Sequence, residues 1–195
     1  MKIFSKKAES LIETIIAVTV VALIATGATI WIRMALFANV NTGDLSQAIS
    51  LSKEGIEMVR SIRDTNGLRY ANENCWNSLE GTSVSDCEGA LIGDDTYYAL
   101  KVDLEDILWE NYLEESSDAD VFSDDYRLYE CSFGDYTIML NPSYLDPLAQ
   151  DCIETDFYRQ IYITYDAESM TVTSTIGWFY NGYEKTFYSI SNINK

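Results

Sequence analysis

The chain has 195 residues, of which 31 are Asp or Glu and 13 are Lys or Arg, and it contains no histidine. The formal net charge of −18 at pH 7 repels phosphate backbones. Because the sequence has no local basic patch, we do not expect the protein to bind nucleic acid directly. Without histidine, a serine or cysteine nucleophile lacks its usual base, so we expect no enzymatic activity. The length is sufficient for one soluble domain with a modest core.

An apolar run from Thr14 to Ile32 carries no charged residue and follows three lysines within the first seven positions. A run of about 20 residues is what an α-helix needs to cross a bilayer core of about 30 Å. The lysines predict a cytoplasmic amino terminus, with the rest of the chain outside. The run ends in Trp31 and Ile32 and is followed by Arg33, rather than by small residues, which disfavours a cleaved secretory signal.

Two carboxylates four residues apart, Glu9 and Glu13, precede this run. A charge at the threshold of hydrocarbon is expensive, so a membrane segment that keeps one generally gives it a partner. The alternative is a plain signal anchor in which Glu13 occurs by chance. The basic leader, the spacing of the acids and the membrane-length run occur together, and this favours an assembly role for Glu13.

Residues Lys6 to Glu13 read Lys-Lys-Ala-Glu-Ser-Leu-Ile-Glu. With the run behind them they resemble the amino-terminal signature of the type IV pilin family, which includes minor pilins, type II secretion pseudopilins and competence pilins. In that family a prepilin peptidase cuts before the hydrophobic run, the new amino terminus is usually N-methylated, and the fifth mature residue is Glu. The resemblance implies cleavage between Ala8 and Glu9, with Glu13 as the fifth residue. Ala8 replaces the commoner Gly and Glu9 the commoner Phe, which favours a minor or atypical major pilin.

The resemblance also implies the partners and the location of the protein. The precursor would lie in the membrane, where prepilin peptidase and an inner-membrane assembly platform act on it. The mature chain would join copies of itself or other pilins in an extracellular helical filament. There the Glu13 carboxylate would meet the cationic amino terminus of a neighbour, with Glu9 as a second assembly residue. A monomeric, signal-anchored surface binding protein is the alternative from another class. Adhesion, motility, DNA uptake and secretion all stay open.

Four cysteines follow the span: Cys75, Cys87, Cys131 and Cys152. An even number of cysteines outside the cytoplasm indicates disulfides, with three possible connectivities. We favour Cys75 with Cys87 and Cys131 with Cys152, because each pair closes a loop that contains turn-forming residues. Zinc is disfavoured, since the chain has neither histidine nor a Cys-x-x-Cys pair.

We expect no cofactor, and calcium is the alternative for which the sequence offers weak candidate ligands. These are Asp118, Asp120, Asp124 and Asp125. Their spacing lacks the glycine and the terminal glutamate of an EF-hand loop. A solvated acidic loop over Glu114 to Asp125 is therefore the favoured interpretation.

The residues after the span predict a second helix. Asn39 to Gly43 are expected to bend or interrupt the first helix, and Asp44 is expected to cap the restart. From Leu45 to about Arg63, apolar residues recur at spacings of three and four, which predicts an amphipathic helix with one face on a sheet. Thr65 to Gly67 are expected to end it.

Alternation of apolar and polar residues predicts the strands of that sheet. They are Thr96 to Val102, Tyr126 to Ser132, Tyr136 to Leu140, Phe157 to Tyr165, Met170 to Trp178 and Tyr183 to Ile190. Asn181-Gly182 predicts a type I′ hairpin turn, because both central residues of that turn need positive φ. Leu104 to Leu113 are predicted to form a short helix, and residues 71–93 an irregular loop.

The predicted fold is α+β, with a long amino-terminal helix packed on an antiparallel sheet in the manner of a pilin. The predicted division of the chain has four parts. They are a leader (1–8), a transmembrane and assembly helix (9–38), an amphipathic helix (39–66) and an exported antiparallel-sheet domain (67–195).

Overall fold

A computed structural model describes residues 6–69, 92–103, 110–133, 136–141, 152–166 and 169–194. These residues form one long helix, α1 (Lys6–Arg69), and a seven-stranded antiparallel sheet. The strands are β1 (Thr96–Asp103), β2 (Glu110–Ser116), β3 (Arg127–Phe133), β4 (Tyr136–Leu140), β5 (Cys152–Asp166), β6 (Ser169–Tyr180) and β7 (Tyr183–Asn194), with a 3₁₀ turn at Asp124–Tyr126. The α+β class, with a long amino-terminal helix and an antiparallel sheet, is confirmed.

The chain divides into two compact units, Met1–Asp44 and Leu45–Lys195. In the first unit, the described residues belong to α1 alone. The second contains the rest of α1 and the sheet. Of the predicted bend or interruption at Asn39, Asn41 and Gly43, the interruption is wrong, because α1 is continuous there. The bend stays a prediction. An isolated Asn or Gly costs a helix only about 1 kcal/mol or less, which lowers the helical preference without ending the helix.

The second unit is built around an apolar stripe on α1. Its buried members are Ala48, Leu51, Ser52, Gly55, Ile56, Val59, Ile62 and Asn66. Their spacings of three and four confirm the predicted amphipathic pattern, although the helix continues to Arg69 rather than ending near Arg63. Val59 packs against the sheet together with Ile161 and Met170. Fully burying a side chain of this size contributes about 1.5–3 kcal/mol.

The 15-residue β5 is the centre of the sheet. One of its edges pairs with β1 and, further towards its amino end, with β3. Its other edge pairs with β6, which pairs with β7. Strand β2 extends the sheet beyond β1, and β4 extends it beyond β3. Since each pairing is antiparallel, β2, β5 and β7 run in the same direction.

Two sequence predictions fail in the segment before β3. The helix predicted over Leu104 to Leu113 is wrong for residues 110–113, which belong to β2, and residues 104–109 lie outside the described residues. The predicted acidic loop also begins too early, because Glu114 lies in β2. Pairing with β1 places Leu113 opposite Leu100, and both are buried. This tertiary contact outweighs the local helical preference of the segment.

The carboxy-terminal meander agrees with its prediction. Asn181 has φ of 52° and Gly182 has φ of 78°, as a type I′ turn requires. Strands β5, β6 and β7 extend beyond the predicted ends, because backbone pairing continues after the apolar alternation stops. The predicted irregular loop falls largely on residues 71–91, outside the described residues.

Candidate functional site

The amino-terminal unit contains an apolar segment that is long enough to cross a membrane. It covers Ile12–Leu36, has a mean hydropathy of 2.4 and is not buried within the protein. At 1.5 Å per residue, its length is about 37 Å, compared with a hydrocarbon core of about 30 Å. A membrane anchor and a signal sequence both have these properties. Trp31 is 75% exposed near the carboxyl end of the segment, a position that suits an interfacial anchor.

Three threonine hydroxyl groups of this segment bond to its own backbone. Thr19 Oγ1 donates to the carbonyl of Ile15 at 2.7 Å, and Thr29 Oγ1 donates to that of Thr26 at 2.8 Å. Thr26 Oγ1 donates to the carbonyl of Ala22 at 3.0 Å. These bonds satisfy polar groups that have no water to bond in lipid. The outer surface of the segment is therefore suited to a hydrocarbon environment.

The predicted processing and assembly residues lie at the start of α1. Ala8 and Glu9 are the third and fourth residues of the helix, so the predicted scissile bond lies in its first turn. Glu13 is exposed and is the second residue of the apolar segment. Between Glu13 and Arg33 the sequence has no ionisable residue. Glu13 is thus an exposed carboxylate at one end of a membrane-length apolar surface.

A disulfide joins β3 to β5 in the sheet unit. Cys131 and Cys152 are register partners, with Cα atoms 4.0 Å apart. The pairing that the spacing favoured for these two residues is therefore present. The other predicted pair, Cys75 with Cys87, lies outside the described residues.

The four calcium candidates lie in and next to a loop over residues 117–126, and the protein itself occupies several of their oxygens. Asp118 Oδ1 accepts the backbone N–H of Asp120 at 2.9 Å. Asp125 Oδ2 accepts the hydroxyl of Ser116 at 3.0 Å. Asp124 pairs with Arg127 at 3.0 Å. The N–H of Asp120 holds the pKa of Asp118 below its usual value, because it stabilises the charged form.

Asp120 also bonds within this loop. Its Oδ1 accepts the N–H of Phe122 at 3.0 Å. Across the described part of the chain, no group of three or more Cys, Asp or Glu side chains is placed to hold a metal ion. The carboxylates instead stabilise the turn and its junction with β3. Calcium binding by these residues stays an untested alternative to the solvated loop that the sequence favours.

The same loop covers one face of the sheet, which the sequence did not predict. Phe122 packs on Tyr158 and Phe179, with ring centroids 5.6 and 4.9 Å away. The Tyr126 hydroxyl donates to the carbonyl of Asp118 at 2.5 Å and closes the loop. A Cβ at Gly177 would lie 3.0 Å from the Phe122 ring. The apolar pair Val121-Phe122 within an acidic stretch was the sequence signal that could have indicated this contact with the sheet.

A polar centre lies between α1 and the opposite face of the sheet. Arg159 of β5 is buried, and its Nη1 donates to Glu54 Oε1 of α1 at 3.3 Å. Its Nε and Nη2 have no partner among the described residues. Burial lowers the pKa of the Arg159 guanidinium, and the nearby Glu54 carboxylate partly opposes this effect. Ser52 Oγ donates to the carbonyl of Ser174 at 2.8 Å. These bonds fix α1 against β5 and β6.

Comparisons with known proteins give no identification. No protein-family model, curated protein or solved structure matches the chain.

Proposed function

We propose that this protein is a type IV pilin-like structural subunit. In this proposal it is inserted as a precursor, cleaved between Ala8 and Glu9, and assembled into an extracellular filament through its apolar helix. The observation that carries the proposal is the exposed apolar segment Ile12–Leu36, with Glu13 at its leader end. Lipid covers this assembly interface while the subunit is in the membrane, and the interface becomes available when the subunit is extracted.

Electrostatics supports a role for Glu13 in assembly. A carboxylate that moves from the membrane boundary into a packed helical core needs a cation beside it. Cleavage after Ala8 would create such a cation, the free amino group of Glu9, in every subunit. The amino group of one subunit would then pair with the Glu13 carboxylate of its neighbour.

The sheet unit supports an outward-facing role. Its described surface is acidic, and the disulfide Cys131–Cys152 suits an oxidising environment. The chain has a net charge of −18, which favours solubility of the exposed part. The subunit therefore performs no chemistry in this proposal, and its function is mechanical and structural.

The first test is intact mass and amino-terminal sequencing of the protein in sheared surface filaments and in the membrane fraction. We expect chains that begin at Glu9 in the filaments. Chains that keep the leader and stay in the membrane would overturn the proposal in favour of a signal-anchored surface protein. Processed chains without filaments would place the protein among minor pilins or pseudopilins.

The second test separates assembly from processing. We expect Glu13→Gln to be cleaved normally and to lose most of its filament incorporation, because the cationic amino terminus loses its partner. Thr29→Val is the matched control, since its hydroxyl bonds only to the backbone of its own helix in the structure. Normal incorporation of Glu13→Gln would contradict the assigned role of this carboxylate.

A further inference from the structure

The sheet has three free edges among the described strands, and β7 is the least protected of them against further pairing. β4 has only five residues, and β2 carries the exposed acids Glu114 and Glu115, which disfavour pairing with another acidic strand. β7 has 12 residues, pairs with β6 without a register shift, and has no proline. From Thr186 to Asn194 it carries no charge. Natural proteins usually protect such an edge with charges, proline or bulges, so β7 offers unpaired backbone groups to another strand.

Cations flank this edge on the face that α1 covers. Arg60 Nη2 donates to Ser191 Oγ at 2.6 Å, and Arg63 Nη1 donates to the Asn194 carbonyl at 2.5 Å. Lys185 is exposed on the same face of β7. Both arginines also pair with acids of their own helix. Although the chain has a net charge of −18, an acidic strand that approaches the β7 edge meets these three cations rather than a row of carboxylates.

The β2 edge of a second copy is an acidic strand of this kind. Glu115 and Ser189 lie in one row across the sheet, on the face that α1 covers. The row is Glu115, Tyr98, Ile161, Ser174 and Ser189. β2 and β7 run in the same direction, so a neighbour in the same orientation would pair its β2 with β7 in parallel. In the register that continues this row from one copy to the next, its Glu115 lies beside Ser189, one side-chain step of about 7 Å along the strand from Ser191 and its partner Arg60.

We propose that the β7 edge of one copy binds the β2 edge of the next copy in parallel, which makes one continuous sheet. Such a contact is heterologous, so it propagates from copy to copy instead of closing a dimer. On the other face, Tyr188 is 62% exposed and Ile190 is 58% exposed, and pairing would cover part of both.

The expected strength of this contact is low between free molecules. A seven-residue strand edge buries less than the roughly 800 Å² per partner of a stable interface. Copies that are concentrated and oriented in one membrane or one filament gain a high effective concentration, which makes weak contacts effective. The contact goes beyond the proposed assembly through α1 and does not require cleavage after Ala8.

Disulfide trapping in the full-length chain tests the contact. Glu114 and Tyr188 lie in one row on the face opposite α1, four strands apart. The row is Glu114, Ala99, Gln160, Thr175 and Tyr188. Within one copy they are about 19 Å apart, too far for a disulfide. We expect the double variant Glu114→Cys/Tyr188→Cys, oxidised in membranes, to give a reducible ladder of oligomers.

The single variants make the result specific. We expect Glu114→Cys and Tyr188→Cys to give no ladder alone, and to give only a mixed dimer when the two are co-expressed. Ser116→Cys with Ile190→Cys is a second pair in the adjacent row, in case the first pair disturbs folding. A dimer of Tyr188→Cys alone would overturn the proposal in favour of β7–β7 pairing. Absence of a ladder in both pairs would also overturn it.

Charge reversal in the double-cysteine background tests whether charge complementarity contributes to the contact between β2 and β7. We expect Glu115→Arg to reduce the ladder several-fold, because it would replace an acid near Arg60 of the next copy with a second cation. Asp156→Arg is the matched control, since Asp156 is exposed on β5, away from the β2 and β7 edges. An unchanged ladder in Glu115→Arg would contradict the assigned register. Amino-terminal sequencing of the same samples reports processing separately, so failure of this contact and failure of the proposed function are distinguishable.

Discussion

Gly55 lies where α1 approaches β5 and β6 too closely for a side chain. A Cβ there would lie 2.6 Å from Ser174 Oγ and 3.2 Å from Arg159 Cδ. We expect Gly55→Ala to destabilise the protein by about 1–3 kcal/mol, because overpacking outweighs the gain in helical propensity of about 1 kcal/mol. Urea unfolding of the full chain in detergent measures this. Gly67→Ala is the control: nothing lies within 4 Å of its Cβ, and we expect a small stabilisation.

Tyr162 provides a pH-dependent contribution to stability. Its hydroxyl donates to Asp95, and this bond raises the pKa of Tyr162 from 10.0 to about 12. The folded state therefore holds the phenolic proton more tightly than the unfolded state does. The contribution is complete below pH 10 and is lost as the pH rises to about 12. We expect Asp95→Asn to lower the phenol pKa, measured by phenolate absorbance with Tyr162→Phe as the reference. An unchanged titration in Asp95→Asn would contradict the assignment.

At the scale of elements, the loop over residues 117–126 acts as a cover for the sheet. Phe122 is its main apolar contact, against Tyr158 and Phe179. We expect Phe122→Ala to destabilise the protein by about 1–3 kcal/mol, since the ring is only partly buried and a fully buried Phe is worth more. Thermal unfolding and proteolysis of the loop report the change. Tyr183→Ala, at an exposed hairpin position, is the control, and its free energy of unfolding should stay within about 0.5 kcal/mol of the parent. An equal loss of stability in both variants would contradict the role of the loop as a cover for the sheet.

The elements differ in how well local sequence predicts them. The apolar stripe of α1 and the β6–β7 hairpin were predictable, because a period of 3.6 or 2 and an Asn-Gly turn are local signals. The strand β2 was not predictable, because its hydrogen bonds and the burial of Leu113 come from β1. The cover loop was missed for the same reason, since its acidic residues dominate the local pattern and its contacts are distant in sequence.

At the scale of the whole molecule, the net charge of −18 predicts a salt-dependent stability. Self-repulsion destabilises the compact state, and salt shortens the Debye length from about 10 Å at 0.1 M to about 3 Å at 1 M. We therefore expect the unfolding temperature at pH 7 to rise by several degrees over this range of NaCl. Near pH 4.1, the isoelectric point of the sequence, the same salt change should have little effect. An equal rise at both pH values would indicate a general salt effect instead of charge screening.

The sequence by itself determined the α+β class, the apolar segment and the amphipathic stripe of α1, and it favoured the Cys131–Cys152 pair among three connectivities. It also supplied the motif from Lys6 to Glu13, on which the proposed function rests. Each of these depends on residue type and short spacing, which a linear chain displays directly. Only the tertiary structure decided that Arg159 lies buried against Glu54 and that the acidic loop covers the sheet. It also decided that β2, β4 and β7 are the edge strands. These features depend on contacts between residues far apart in the chain, whose free energy exists only after the strands have paired.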